Sequence, residues 1–562
     1  MHQALSRLQP WLRPSLGTAG FTLLVSIGLV ALYNTRLWSE VVRLGYQPGL
    51  HDSLFLASFA LFLVAVLNLL LTSVAAFRPL LKPLAILLVM SAAPAAYFSS
   101  TFGVVFDYTM VQNLVETDTG EALDLLSPGM LGQVLLLGLL PAILIARTRI
   151  TYRRGFGALK LHAGVLLLSA TVATVAVLSF YQDYASLFRN NRHLSHLIVP
   201  TSYLYAAVKY IRKANESPRV VLTLGEDARR GPRASGHEKP ALLVLVLGET
   251  ARAQNFSLNG YARPTNALLS EQQVISFDNV HACGTSTAVS VPCMFSQLRH
   301  SDYDGGKAKG QENLLDVLRH AGLRVLWREN NSGCKGVCDR IEQQPPAAFR
   351  SAQLCSEEGC FDEVLLNGLE DYLSERRADT VVVLHQNGSH GPAYYRRYPK
   401  AFERFAPVCP SNQIQNCAQQ AVLNTYDNTI AYTDYFLSRT IEMLKAQSDR
   451  FDTAMIYVSD HGESLGEHRL YLHGLPYLIA PEEQKRVPFI VWLSEGYERA
   501  FGLDTGCLAA GRGAPLSHDN LFHSMLGLLD VQTGVYDPGL DFSAGCRRQG
   551  RFASAGTRPH GS

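Results

Sequence analysis

Five apolar runs occupy the first 181 residues, near 16–35, 54–76, 80–99, 128–146 and 159–181. Each is long enough to cross a bilayer, since a spanning helix needs about 20 mostly apolar residues. Helices are the form such runs must take in lipid, because their backbone polar groups find partners within the same segment. The second run, SLFLASFALFLVAVLNLLLTSVAAF, carries no charge at all. A single run of this kind could be a buried core helix. Five of them joined by short polar loops predict a helical membrane bundle.

Basic residues in the loops set the expected orientation. Arg7 and Arg13 precede the first run, and Arg78 and Lys82 follow the second. Arg147, Arg149, Arg153, Arg154 and Lys160 follow the fourth. These three segments are expected on the cytoplasmic side. The loop after the third run carries Asp107, Glu116, Asp118, Glu121 and Asp124 and no Lys or Arg, so it is expected outside. The loop with Arg36 and Arg43 fits this scheme least well. Further spans follow the first run and no small-residue cleavage site does, so it reads as a signal anchor. Five crossings would place everything after Tyr181 outside the cytoplasm.

The cysteines support an oxidising location for that part. All ten lie at or beyond position 283, and they fall in near pairs. Short loops close easily, so sequential disulfides are expected: 283–293, 334–338, 355–360, 409–417 and 507–546. The rival reading is a structural zinc site built from Cys334, Cys338, Cys355 and Cys360. A net charge of +2 gives no polyelectrolyte signature, so nucleic acid is not an expected partner.

Three regions follow from these patterns: a membrane domain over 1–181, a bridge and linker over 182–240, and a globular domain over 241–562. Residues 182–215 mix aromatics with Arg and Lys. They read as amphipathic helices, either lying on a membrane surface or packed on the globular domain. Residues 216–240 are rich in charge, Gly and Pro and read as linker. Beyond them, apolar runs at 241–247, 380–385, 453–459 and 487–493 suit strands buried on both faces. Helical patterns lie between them at 312–322 and 428–447. The alternation predicts an α/β domain with a mostly parallel sheet.

Ligands of such sheets bind beyond the carboxyl ends of the strands. There the sequence reads GET with Glu249, HQNGSHGP with His385 and His390, and SDHGESLGEHRLYLHG with Asp460, His461, Glu463, Glu467, His468 and His473. Carboxylate oxygens and imidazole nitrogens in three strand-end clusters suit Zn²⁺ or Mn²⁺. A separate segment, CGTSTAVSVPC at 283–293, holds four hydroxyls: Thr285, Ser286, Thr287 and Ser290. A hydroxyl is a weak nucleophile until a base or metal activates it. A metal beside this loop would lower a hydroxyl's pKa and neutralise an anionic substrate. Chemistry alone does not choose among the four.

Taken in order, GET, CGTSTAVSVPC, NGSHGP, SDHGESLGE and YLHG resemble the phosphoethanolamine transferases of Gram-negative inner membranes, within the alkaline-phosphatase-like superfamily. The resemblance spans nearly the whole chain and is nearest to the lipid A type, which includes enzymes that confer colistin resistance. It implies Thr287 as nucleophile and a primary zinc held by Glu249, Thr287, Asp460 and His461. It implies that His390 and His473 bind substrate phosphate or a second zinc, and that Lys335 lies near the phosphoryl group. It carries over Asn113, Thr117 and Glu121, in NLVETDTGEA, as contacts of the donor's ethanolamine. The implied reaction moves phosphoethanolamine from phosphatidylethanolamine to lipid A, by an inner-membrane monomer with a periplasmic catalytic domain. His468, beside Glu467, departs from the expected pattern and reads as an exposed loop residue or an added ligand. His385 reads as structural, and Glu463 as a carboxylate orienting a histidine or facing water. Within enzymes, the alternative is a related phosphotransferase or hydrolase, for example one using a glycerol-phosphate donor, or one acting on the lipopolysaccharide core or another glycan. A sulfatase is disfavoured, because no Cys-x-Pro-x-Arg or Ser-x-Pro-x-Arg segment occurs. Outside enzymes, a membrane-anchored sensor would be expected to lack part of the ligand set.

Overall fold

A computed structural model describes residues 14–44, 49–117, 122–123, 125–191, 193–215, 221–236, 238–356 and 359–548. The chain divides into two compact units. The first comprises residues 1–111, 125–211 and 468–470, and the second 112–124, 212–467 and 471–562.

Helices dominate the first unit: α1 (Thr18–Tyr33), α2 (Thr35–Arg43), α3 (Leu50–Ala75), α4 (Arg78–Phe102), α5 (Pro128–Arg147) and α6 (Gly155–Ser179). Helices α3 to α6 are each long and apolar enough to cross a membrane. The first apolar run differs from the expected single span. It forms α1, then bends by 59° into α2, and counts as a fifth span only if the pair crosses together. The cause is Asn34. Its buried amide donates to Leu29 O and to Val199 O, both at 2.9 Å, and accepts from Val199 N at 2.9 Å. An Asn side chain that bonds backbone in this way competes with the helix ladder. Between helices, Asn68 donates to Ser169 Oγ at 2.9 Å and Thr72 to Thr22 Oγ1 at 3.3 Å, so polar groups inside the bundle pair with each other. A short ribbon, β1 (Ser15–Gly17) and β2 (Arg149–Thr151), pairs in parallel.

The second unit is built on a seven-stranded sheet. Its strands are β3 (Ala241–Gly248), β4 (Ile275–Phe277), β5 (Arg324–Glu329), β6 (Glu342–Gln344), β7 (Thr380–His385), β8 (Asp452–Ser459) and β9 (Phe489–Leu493). Their order is β4-β9-β8-β3-β7-β5-β6. The run from β8 to β6 is parallel, and β9 alone runs against its neighbours. Every residue of β3, β7 and β8 is buried, as continuous apolar runs require of a sheet covered on both faces.

Helix α7 (Thr287–Met294) takes up the second half of the hydroxyl-rich segment, and α8 (Gln419–Ala446) packs on β8. The latter begins nine residues before its expected start because its buried face there is polar: Asn424, Thr425, Asp427 and Asn428 are buried. An apolar periodicity cannot register such a face. Those groups hold the irregular stretch after β3. Asp427 accepts from Asn255, Tyr261 and Arg263, and Asp434 accepts from the backbone N–H of Leu268 and Leu269. The described part of the expected linker is likewise ordered. Arg229–Arg230 pairs with Val531–Gln532, and the Asp530 carboxylate accepts from Arg233 N and Ala234 N. All five disulfides join the cysteines in the expected sequential pairs. No thiolate is left at Cys334, Cys338, Cys355 or Cys360 for zinc.

Gly388 lets the turn after β7 close onto the end of β3. It has φ of +54°, and a Cβ there would meet Glu249 O at 2.6 Å. Gly260 has φ of +93° with open space around it. Both substitutions to Ala carry backbone strain, but only Gly388→Ala adds overpacking, of about 1–3 kcal/mol. In thermal unfolding of the purified protein, Gly388→Ala should lower Tm by several degrees more than Gly260→Ala. Equal losses would show that the Glu249 backbone yields without cost.

Candidate metal centre and nucleophile

Strands β3 and β8 are neighbours paired through Gly248↔Ser459. The next residues, Glu249 and Asp460, therefore leave the sheet side by side. Glu249, Asp460 and His461 are fully buried, and one ligand atom from each lies within 4.8 Å of the others. His461 Nε2 is 3.3 Å from Glu249 Oε1 and 3.4 Å from Asp460 Oδ2. Its Nδ1 lies 2.9 Å from Gly462 O, so that nitrogen donates and Nε2 is the one turned to the carboxylates. Asp460 Oδ1 accepts from Thr250 N at 3.1 Å and His461 N at 2.7 Å, whereas the buried Oδ2 has no hydrogen-bond partner.

The electrostatics favour a cation here. Burial and the adjacent Glu249 charge push Asp460 up to about 7. His461 is driven up to about 10 against its burial by Asp460 and Glu249. Glu249 is held well below the usual carboxylate range despite burial, through its bond to His461. Two buried carboxylates thus compete for one imidazole. Two carboxylates, one of them with an orphaned oxygen, and an imidazole nitrogen whose proton a cation would displace are a donor set that fits a divalent metal.

Thr287 opens α7, with Ser286 at its N-cap position. Its Oγ1 lies 3.0 Å from Glu249 Oε2, 3.3 Å from Oε1 and 3.4 Å from His461 Nε2. None of the other three hydroxyls bonds to the carboxylates. Thr285 donates to Leu475 O at 2.6 Å, and no contact of Ser286 or Ser290 Oγ reaches the carboxylates. The Cys283–Cys293 bridge spans this segment. His518 anchors its start: Nδ1 accepts from Cys283 N at 3.1 Å, and Nε2 donates to Ser459 O at 3.0 Å.

His461, His473 and His390 form a row, with ring centroids 4.3 Å apart for the first pair and 5.4 Å for the second. His473 Nδ1 lies 3.2 Å from Glu463 Oε2. Burial and then the His461 charge push His473 down to about 3, and burial raises Glu463 well above the carboxylate range. Lys335 has φ of +53° and donates to Glu116 O at 3.2 Å and to Ser332 O and Oγ, both at 3.0 Å. Gln112 donates to Ala288 O at 3.3 Å. Residues from Gln112 to Glu116 therefore touch both the Lys335 loop and the start of α7. Asn113 and Thr117 lie one helical turn apart on this segment, joined by Thr117 Oγ1 to Asn113 O at 2.6 Å. Glu121 lies outside the described residues. His468 is exposed.

Family models match two parts of the chain: one described as phosphoethanolamine transferase EptA/EptB, over residues 63–214, and one described as sulfatase, over 241–531. Phosphoethanolamine transferase EptA of Escherichia coli K12 is 41% identical over 539 residues, covering 95% of this chain and 98% of its own. The chain belongs to the phosphoethanolamine transferase family. Phosphatidylethanolamine transferase Mcr-1 of Escherichia coli is 36% identical, with 93% of this chain and 96% of that one covered. Among solved structures, the integral membrane lipooligosaccharide phosphoethanolamine transferase A (EptA) of Neisseria meningitidis superposes with a TM-score of 0.92 at 35% identity. It covers 95% of this chain and 100% of that one. The membrane helices and the sulfatase-like α/β domain are thus those of a membrane-bound phosphoethanolamine transferase.

Several residues around the centre carry no sequence signal. Asn331 donates to Glu249 Oε2 at 2.7 Å and to Gln386 O at 2.9 Å, and lies 3.2 Å from His385 Nε2. His385 is in turn held by Glu329 at 3.0 Å. A lone Asn in a loop announces nothing. Only the fold brings it to the carboxylate. Groups that orient a metal ligand typically contribute about 10–100-fold in metal affinity. Asn331→Leu should weaken divalent-metal affinity by that amount in a competition titration of the purified protein. An unchanged affinity would show that Glu249 needs no second anchor.

Proposed function

We propose that this chain is a zinc-dependent transferase that moves phosphoethanolamine from phosphatidylethanolamine to a phosphate of lipid A through Thr287. The carrying observation is the Thr287 hydroxyl, 3.0 Å from a Glu249 oxygen at the edge of the buried carboxylate pair. Glu249, Asp460, His461 and Thr287 would hold the metal. When bound, zinc supplies Lewis acidity that favours the deprotonated hydroxyl and charge that offsets the phosphodiester.

Thr287 Oγ1 attacks phosphorus, an Oγ1–P bond forms, and the P–O bond to diacylglycerol breaks. The proton lost by Oγ1 balances the one gained by diacylglycerol. A lipid A phosphate oxygen then attacks the phosphoethanolamine–Thr287 ester: a P–O–P link forms, the Oγ1–P bond breaks, and the proton given up by the phosphate monoester restores the Thr287 hydroxyl. His390 and His473 donate to phosphoryl oxygens as charge develops, and Lys335 adds charge beside them. Asn113, Thr117 and Glu121 receive the donor's ethanolamine. Residues 1–181 are the membrane domain, 182–240 the bridge, and 241–562 the catalytic domain. We place the protein in the inner membrane as a monomer, with the catalytic domain in the periplasm. The added ammonium lowers the negative charge of lipid A and, with it, binding of polymyxin and other cationic peptides.

Thr287→Ala should reduce turnover of a fluorescent phosphatidylethanolamine in membranes by at least about 10³-fold, the scale for loss of a covalent nucleophile. Persisting activity would exclude the covalent route. Lipid A from cells expressing the intact chain should gain phosphoethanolamine by mass spectrometry. Unmodified lipid A beside a modified core would instead assign the lipopolysaccharide core as acceptor. Chelation should abolish turnover and added zinc should restore it.

A further inference from the structure

A crevice of about 260 Å³ opens between α1, α3 and α6 at the end of the bundle where α4 begins. Thr22 and Thr72, bonded to each other, lie at its buried end, and apolar Ala75, Leu159 and Val165 contribute to its walls. Arg78, Tyr152, Arg153 and His162 complete the lining. Among the described residues no carboxylate lines it, and residues 69–82 and 147–165 contain no Asp or Glu.

The cationic side is a built structure. The Arg78 guanidinium lies over the Tyr152 ring at 5.1 Å and donates to Arg153 O at 3.3 Å, while Tyr152 OH donates to Arg78 O at 3.3 Å. Tyr152 and Arg153 directly follow β2, which is pinned to β1 by strand pairing and by Thr151 Oγ1 to Leu16 O at 3.2 Å. The Arg78 guanidinium, Arg153, a phenol and an imidazole thus border a hydroxyl-bearing, otherwise apolar slot. Guanidinium groups suit phosphate, and the apolar walls suit the glycerol and first acyl carbons of a lipid. A zwitterionic headgroup would bring an ammonium that no lining carboxylate could pair. Helix α4 has 25 residues and so measures about 38 Å, which separates this crevice from the Phe102 end of α4, after which the donor segment follows in sequence.

We propose that this crevice is a binding site for the headgroup of a net-anionic glycerophospholipid, distinct from the transferase centre. Its phosphate sits between Arg78 and Arg153, and its glycerol faces the two threonines. The test is native mass spectrometry of the full chain with phosphatidylglycerol, phosphatidylethanolamine and phosphatidylcholine offered in turn. Phosphatidylglycerol should be retained about fivefold or more over the other two. Arg78→Ala/Arg153→Ala should lose that preference. Arg149→Ala/Arg154→Ala removes the same charge outside the crevice and should keep it. Should the first double variant not fold, Ala158→Phe fills the slot without changing charge and should reduce retention alike. Equal retention of the three lipids, or equal losses in both double variants, would overturn the site in favour of diffuse attraction. Displacement of the lipid by millimolar inorganic phosphate would assign the crevice to a free anion and overturn the lipid proposal.

Discussion

The register of two adjacent parallel strands sets the candidate centre. Strands β3 and β8 pair residue for residue from Ala241↔Asp452 to Gly248↔Ser459. Neighbouring strands lie about 4.8 Å apart, so the first residues beyond the pairing emerge at a spacing suited to sharing one cation. A slip of one residue would point one of these side chains to the other face of the sheet. Burial of both strands on both faces makes that slip prohibitive. The hydrophobic core and the ligand geometry are therefore one constraint.

Everything around the pair serves to keep two like charges close together. Backbone N–H groups and His461 take part of the charge, and Asn331 and Thr250 hold Glu249 from the side. His518 ties the hydroxyl-rich loop to the last residue of β8, so Thr287 and the carboxylate pair share one frame. The arrangement leaves Asp460 Oδ2 with a lone pair that only a cation or a proton can use.

Much of this was legible from residue type and order. Apolar runs showed the membrane helices and the three central strands, and the strand-end rule led to Glu249, Asp460 and His461. The choice of Thr287 among four hydroxyls came from family resemblance, and the distances to Glu249 now stand beside it. Asn34 bends the first span through a side-chain bond to a residue 165 positions away, which no local pattern encodes. Asn331, His518 and Gln112 escaped for the same reason: each acts through a partner brought near only by the fold. Lys335 was expected near the phosphoryl group, and its contacts are with Ser332 and Glu116.

The polar face of α8 has a consequence of its own. Between β3 and β4 the chain runs through a long irregular stretch, yet Asn255 is almost fully buried and Thr265 and Asn266 completely so. Because Asp427 and Asp434 hold this stretch by its amides and side chains, its shape is copied from a helix and not from a ladder of its own. In secondary-structure terms it is a loop. Mechanically it is a casting of α8, and drift in its sequence is limited by two carboxylates that lie more than 150 residues further along the chain.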